Sequence, residues 1–167
     1  MINSTPGSAE ANSYVSVEYA DAFVSAMIDS DGWPGVLSEK EAALKEATRV
    51  LDEQFTWQGS LSNVSQALAW PRSGFTDPDG RAIAADAIPK RIKDATCNLA
   101  IFLLRNGGLN QVSSDVRSIK AGPISIGFES NEQVSGVPKY VVKSLQGYGS
   151  YFGYTAGAAY AVGAVRC

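Results

Sequence analysis

Gln66-Ala67-Leu68-Ala69-Trp70-Pro71-Arg72-Ser73-Gly74-Phe75, then Thr76-Asp77-Pro78-Asp79-Gly80-Arg81 and Ala87-Ile88-Pro89, lead into the long apolar run Lys90–Asn106. The first part reads as a loop and the second as a helix. Asp77-Pro78-Asp79-Gly80 has turn chemistry, because Pro presets φ, Asp side chains bond nearby N–H groups and Gly accepts φ > 0. Pro89 suits the first helical position, where no N–H is needed. Ile92, Ala95, Leu99, Phe102 and Leu103 then recur at helical spacing, and Ala100, Ile101 and Leu104 widen the stripe until little polar face is left. A helix of this kind has to be enclosed by other elements. Asn106-Gly107-Gly108 closes it in the manner of an αL cap. The run is the expected centre of the core, with Trp70 plugging its loop side.

Working outward, the preceding chain predicts two more helices. Ser16 can N-cap one that runs to about Asp29, with Tyr19, Phe23, Ala26 and Met27 on one face. Ser38-Glu39-Lys40-Glu41 reads as a capping box that opens a second, whose stripe is Leu44, Ala47, Leu51 and Phe55 and which Gly59 ends. The opening residues, 1–15, are rich in Ser, Gly, Pro and Asn and read as a polar arm. Beyond Gly108 the period changes from 3.6 to 2, and Val116–Phe128 predicts a small hairpin. Gly136-Val137-Pro138 begins a short last helix through Val141, Val142 and Leu145. The expected architecture is therefore mainly α. It is a helical bundle of three to four helices, residues 16–147, with a β-hairpin at about 115–128 and extended N- and C-terminal arms.

Residues 148–167 form a separate compositional segment, in which Tyr148, Tyr151, Phe152, Tyr154 and Tyr160 are interleaved with glycine and alanine. Three readings stand side by side: a solvated tail, a tail that docks on a partner or folds back over the apolar helix, and a nucleic-acid stacking segment. The last would ordinarily bring many Lys or Arg along the strand path, and this segment has Arg166 alone.

With 167 residues the chain fits one domain, long enough to bury roughly 70% of its unfolded surface. No apolar run approaches the ~20 residues of a membrane span, and the N-terminus has neither a basic nor an apolar signal region, so a cytosolic product with no membrane contact is expected. Cys97 reads as a buried free thiol. Net charge is −3, but it is unevenly spread. Up to Ser60, ten acids face only Lys40, Lys45 and Arg49, whereas beyond Gln133 the charged residues are Lys139, Lys143 and Arg166. Opposite ends of opposite sign can pair head to tail with copies of the chain, or touch partners of matching sign.

Catalytic chemistry is sparse. The chain has no histidine, hence no histidine base, Ser-His-Asp triad or histidine metal ligand. Neither phosphate-cradling glycine motif is present, and the two cysteines are too far apart in sequence to suggest a zinc site. Asp77 and Asp79 beside Gly80 lack the remaining ligands of a calcium loop. Arg72 can bind a phosphate or carboxylate, or stack on Trp70. No enzyme, metal or cofactor is expected.

Several segments resemble a known family: Ala11-Asn-Ser-Tyr-Val-Ser-Val-Glu18, Ala42-Ala-Leu-Lys-Glu-Ala-Thr-Arg-Val-Leu-Asp52, Gln66-Ala-Leu-Ala-Trp-Pro-Arg-Ser-Gly74 with Asp79-Gly80, and Ile88-Pro-Lys-Arg-Ile-Lys-Asp-Ala-Thr96. Together they are similar to a group of tailed-phage proteins labelled DnaT-like single-stranded-DNA-binding proteins, which resemble the helical head–tail connectors (adaptors) of virions. The likeness covers Ala11 to Val142, with Trp70, Pro71, Arg72, Gly80 and Pro89 as its signature. It implies a structural virion protein in the neck between capsid and tail, assembled in the host cytoplasm. It also implies a ring, a dodecamer, beneath the portal protein and above a tail or neck protein, with passive contact to packaged DNA. Lys139, Lys143 and Arg166, with the five aromatics of 148–167, are the expected interface. The alternative is a single-stranded-DNA-binding protein, but a pI of 4.9 and an acidic second helix favour the connector.

Overall fold

The computed structural model describes residues 1–108, 118–121, 124–127 and 136–152. Its helices are α1 (Val17–Ser25), α2 (Leu37–Gln54), α3 (Lys90–Asn106) and α4 (Lys139–Ser144). Interleaved with them are six short strands: β1 (Phe55–Trp57), β2 (Ser60–Leu61), β3 (Arg72–Ser73), β4 (Ser118–Ala121), β5 (Ile124–Gly127) and β6 (Gly149–Tyr151). The strands form two-stranded antiparallel ladders, β1 with β6, β2 with β3 and β4 with β5. The fold is mixed, not a plain helical bundle.

α2 and α3 form the spine. Leu44, Ala47 and Leu51 of α2, and Ile92, Ala95, Leu99 and Leu103 of α3, are buried. This is the i, i+3, i+4, i+7 stripe read from the sequence. α3 ends at Gly107, in the left-handed region at φ 62, and the Gly107 N–H bonds to the Leu103 carbonyl. Pro89 precedes the helix as its N-cap instead of occupying the first turn.

Other boundaries moved. α1 stops at Ser25, and its buried side chains are Ala20 and Val24, with Tyr19 and Phe23 flanking; Ala26 is exposed. Ser16 does cap it, accepting from the Tyr19 N–H at 3.2 Å. The capping box of Ser38 and Glu41 does not form. The cap lies two residues earlier, at Val36, α2 begins at Leu37, and no side chain bonds there. Glu41 instead meets the chain's own N-terminal ammonium at 2.9 Å. α2 ends at Gln54, so Phe55 is buried from a strand. Gly59, at φ 73, is needed in the turn that follows. A Cβ there would collide with the Ser73 carbonyl oxygen and come 2.7 Å from Phe75 Cδ1.

The extended arms need correction. Residues 1–15 lie on the body: Asn3 and Asn12 exchange bonds at 2.9 Å, the Ala67 N–H reaches the Ser8 carbonyl at 3.1 Å, and Ala11, Ser13, Tyr14 and Val15 are buried. Polar composition misled here because Asn and Ser side chains satisfy the backbone of this irregular segment. The C-terminal side begins differently too. Instead of a tail from Tyr148, the chain continues as β6, in register Phe55↔Tyr151, Thr56↔Ser150 and Trp57↔Gly149. The small hairpin is present as β4–β5, in register Ser118↔Gly127 through Ala121↔Ile124. Residues 115–117, 122–123 and 128, also assigned to it, lie outside the described residues.

Candidate interaction site

The Trp-Pro-Arg signature is built into the interior. Trp70 is 1% exposed. Its ring meets Trp57 edge-on at 5.7 Å, Phe75 at 5.6 Å and Tyr148 at 6.2 Å. Pro71 beside it is buried, and the peptide bond between them is cis. Arg72 neither stacks on Trp70 nor reaches outward for an anion. Its guanidinium donates to the carbonyls of Gln58 at 2.6 Å, Gly59 at 2.7 Å and Ala69 at 3.2 Å.

Asp52 is the polar anchor of this centre, and sequence reading missed it. Its Oδ2 accepts the Ala69 N–H at 3.0 Å, and its Oδ1 accepts the Tyr14 hydroxyl. One carboxylate thereby ties α2 to the N-terminal segment and to the Trp70 loop. Burial pushes the Asp52 carboxyl above the ordinary range, against the pull of those donors. Burial and the neighbouring Asp52 push the Tyr14 phenol well up. The available signal was Asp52 one residue after Leu51 in the buried stripe.

The Asp77–Arg81 loop is a closed turn. Asp77 Oδ1 accepts the N–H groups of Asp79 at 3.0 Å and Arg81 at 2.8 Å. The Arg81 side chain takes Asp77 Oδ2 and Asp79 Oδ2, each at 2.8 Å. The Arg81 N–H and guanidinium hold the Asp77 carboxyl below its ordinary range. Gly80 is exposed within this turn.

An open hollow of about 510 Å³ lies between α4 and β6, lined by Lys139, Val142, Lys143, Gln146, Ser150 and Tyr151 among others. Lys139, Val142, Lys143 and Gln146 are the i, i+3, i+4 and i+7 positions of α4 and the turn after it, so one face supplies both ammonium groups. Of the aromatics expected to face a partner, Tyr148 is 4% and Tyr151 7% exposed. They are spent on the core: Tyr148 on Trp70, Tyr151 on Phe55 at 5.3 Å. Phe152 is 70% exposed, as is Tyr140 at 54%, a residue the sequence reading passed over. Tyr154, Tyr160 and Arg166 lie outside the described residues.

Charge pairing separates these lysines from the rest of the body. Lys40 pairs with Asp21, Lys45 with Glu41, Arg49 with Glu46 and Glu53, Lys90 with Asp94, and Arg105 with Asp29. Lys93 sits over the Tyr19 ring at 5.6 Å. Among the described cationic side chains, Arg72 is held by backbone carbonyls instead, and Arg91, Lys139 and Lys143 have neither an ion pair, a ring nor a carbonyl partner.

The family model described as "Putative DnaT-like ssDNA binding protein" matches residues 1–167, the whole chain. No curated protein and no solved structure matches it.

Proposed function

The chain belongs to this DnaT-like family, and from that premise we propose that it is a structural virion protein, a head-to-tail adaptor. In this reading it assembles as a ring beneath a portal protein, joins it to a tail or neck protein, and lets packaged DNA pass without gripping it. The observation that carries the reading is the disposition of charge. The chain is net −3, and most described cations are neutralised within the body. A protein that grips nucleic acid gains affinity by neutralising phosphates, which takes free cations along a groove. The hairpin adds support. β4 and β5 pair only with each other among the described strands, and a lone two-stranded ladder is marginal in water unless something packs or pairs with it.

A second reading, single-stranded-DNA binding, is favoured by the description of the family and by the unpaired Lys139 and Lys143 near exposed aromatics. Mixing the full chain with its portal and imaging the product separates the two. A ring or portal-bound collar is expected. A monomer that ignores the portal but retains a single-stranded oligonucleotide, with affinity falling steeply in salt, would overturn the adaptor reading.

A further inference from the structure

We propose that the α4 hollow, with Lys139 and Lys143, receives a second copy of this chain through the stretch from the loop between α1 and α2 into the first turn of α2, at Asp31 and Glu39. The proposal rests on the adaptor reading and names the surfaces by which neighbouring copies would meet.

Two patches on the described body carry charge left unmatched among the described residues. On one, the ammonium groups of Lys139 and Lys143 line the hollow with no carboxylate in ion-pair reach among the described residues. On the other, the exposed carboxylates of Asp31 and Glu39 have no cationic partner there either. The preceding carboxylates are engaged, Asp21 by Lys40 at 2.7 Å and Asp29 by Arg105 at 3.0 Å, and the Arg105 guanidinium also donates to the main-chain carbonyl of Asp31 at 2.7 Å, leaving the Asp31 carboxylate unpaired. What is left over on each patch is therefore of one sign, and the two signs are opposite.

Each patch also exposes apolar surface next to its charge. Ile28 is fully exposed, and Val36 and Leu37 are 54% and 58% exposed, within three residues of Asp31 or Glu39 in the chain; Tyr140, next to Lys139 in α4, and Phe152, just after β6, are 54% and 70% exposed. Apolar and aromatic side chains with a charged rim make up the usual anatomy of a protein–protein contact. The charges would steer and set register while the apolar groups supply the burial. A contact between two different patches repeats from copy to copy and closes into a ring when the rotation allows it. The hollow has room for side chains of the incoming loop between the lysines.

A charge-swap experiment on the full chain tests this, with self-association followed by sedimentation across salt concentrations. Lys139→Glu/Lys143→Glu and Asp31→Lys/Glu39→Lys should each weaken association on the order of tenfold or more at low salt, the scale of losing opposed charge pairs. All four substitutions lie at exposed positions, and circular dichroism melting should show both variants folded. An equimolar mixture of the two, or the chain carrying all four changes, should recover association. Assembly that survives both reversals overturns this interface and leaves the adaptor reading standing. A wild-type chain that neither self-associates nor binds the portal removes both. If the lysine variant assembles normally but loses oligonucleotide binding, the lysines belong to nucleic acid and the proposal is wrong.

Discussion

At the residue scale, Asp52 and Trp70 carry the most weight, and they differed in how far the sequence disclosed them. Trp70 stood out because a Trp between turn residues, just ahead of an apolar helix, needs somewhere to bury its ring. Trp70→Ala should cost about 3–5 kcal/mol through lost contacts and the cavity left among Trp57, Phe75 and Tyr148. An unchanged melting temperature would contradict the packing described. Asp52 gave only its place one residue after Leu51, and on that alone an acid on a solvent-facing helix flank looks the same in sequence as one bonded to Tyr14 and Ala69. Its carboxyl is raised by burial, so the folded state holds its proton more tightly than the unfolded chain. Asp52 therefore lowers stability as pH rises from the unfolded pKa through the folded one, and contributes no such penalty below both. Tyr14→Phe removes one donor from the carboxylate. It should cost about 1.5–3 kcal/mol at neutral pH, the worth of a hydrogen bond to a charged group, and less once Asp52 is protonated. Denaturant melts of wild type and Tyr14→Phe across pH check this; a cost that grows toward acid would refute it.

The long elements were legible because their cause is local. The stripes of α2 and α3 are one-dimensional patterns, and Gly107 marks the end of α3 whatever surrounds it. The short strands were not, because their cause is a partner far away in the chain. Gly149-Ser150-Tyr151 becomes β6 only by pairing with Phe55-Thr56-Trp57, and nothing between Gly147 and Phe152 announces that. Composition put a boundary at Tyr148, whereas the structure carries the packed body on to Phe152, with Tyr148 and Tyr151 buried. A truncation that tests the C-terminal segment must therefore begin after Phe152. Deleting residues 153–167 leaves every described contact in place and should leave the chain folded by circular dichroism. Deleting from Tyr148 onward removes β6 and two buried aromatics, each worth about 3–5 kcal/mol in a domain whose total is about 5–15 kcal/mol, and should leave the chain unfolded by circular dichroism. If the longer deletion melts like the intact protein, the β1–β6 ladder does not hold the fold.

At the scale of the whole molecule, most described cations are matched locally, which bears on whether the protein holds nucleic acid. The sequence showed the segregation, with acids before Ser60 and lysines after Gln133, but not the pairing, which depends on helix phase and on loops folding back. Of 14 cationic side chains, the described body leaves Arg91, Lys139 and Lys143 free of carboxylate, carbonyl and ring partners. Each phosphate neutralised on a single strand contributes about −0.7 to the slope of log K against log salt. Three free cations thus predict a slope no steeper than about −2, by that same per-phosphate value. The measurement is fluorescence anisotropy of a labelled single-stranded oligonucleotide titrated with the full chain over a range of salt. Binding that is weak and follows this shallow slope fits a ring through which DNA passes. Adding Arg117, Lys120 and Arg166 at the same value per phosphate brings the total to six cations and the limit to about −4, so a slope much steeper than that would demand more than six contacts. Lys40, Arg49, Lys90 and the other paired cations would then have to leave their carboxylates for phosphate, and the single-stranded-DNA reading would take precedence.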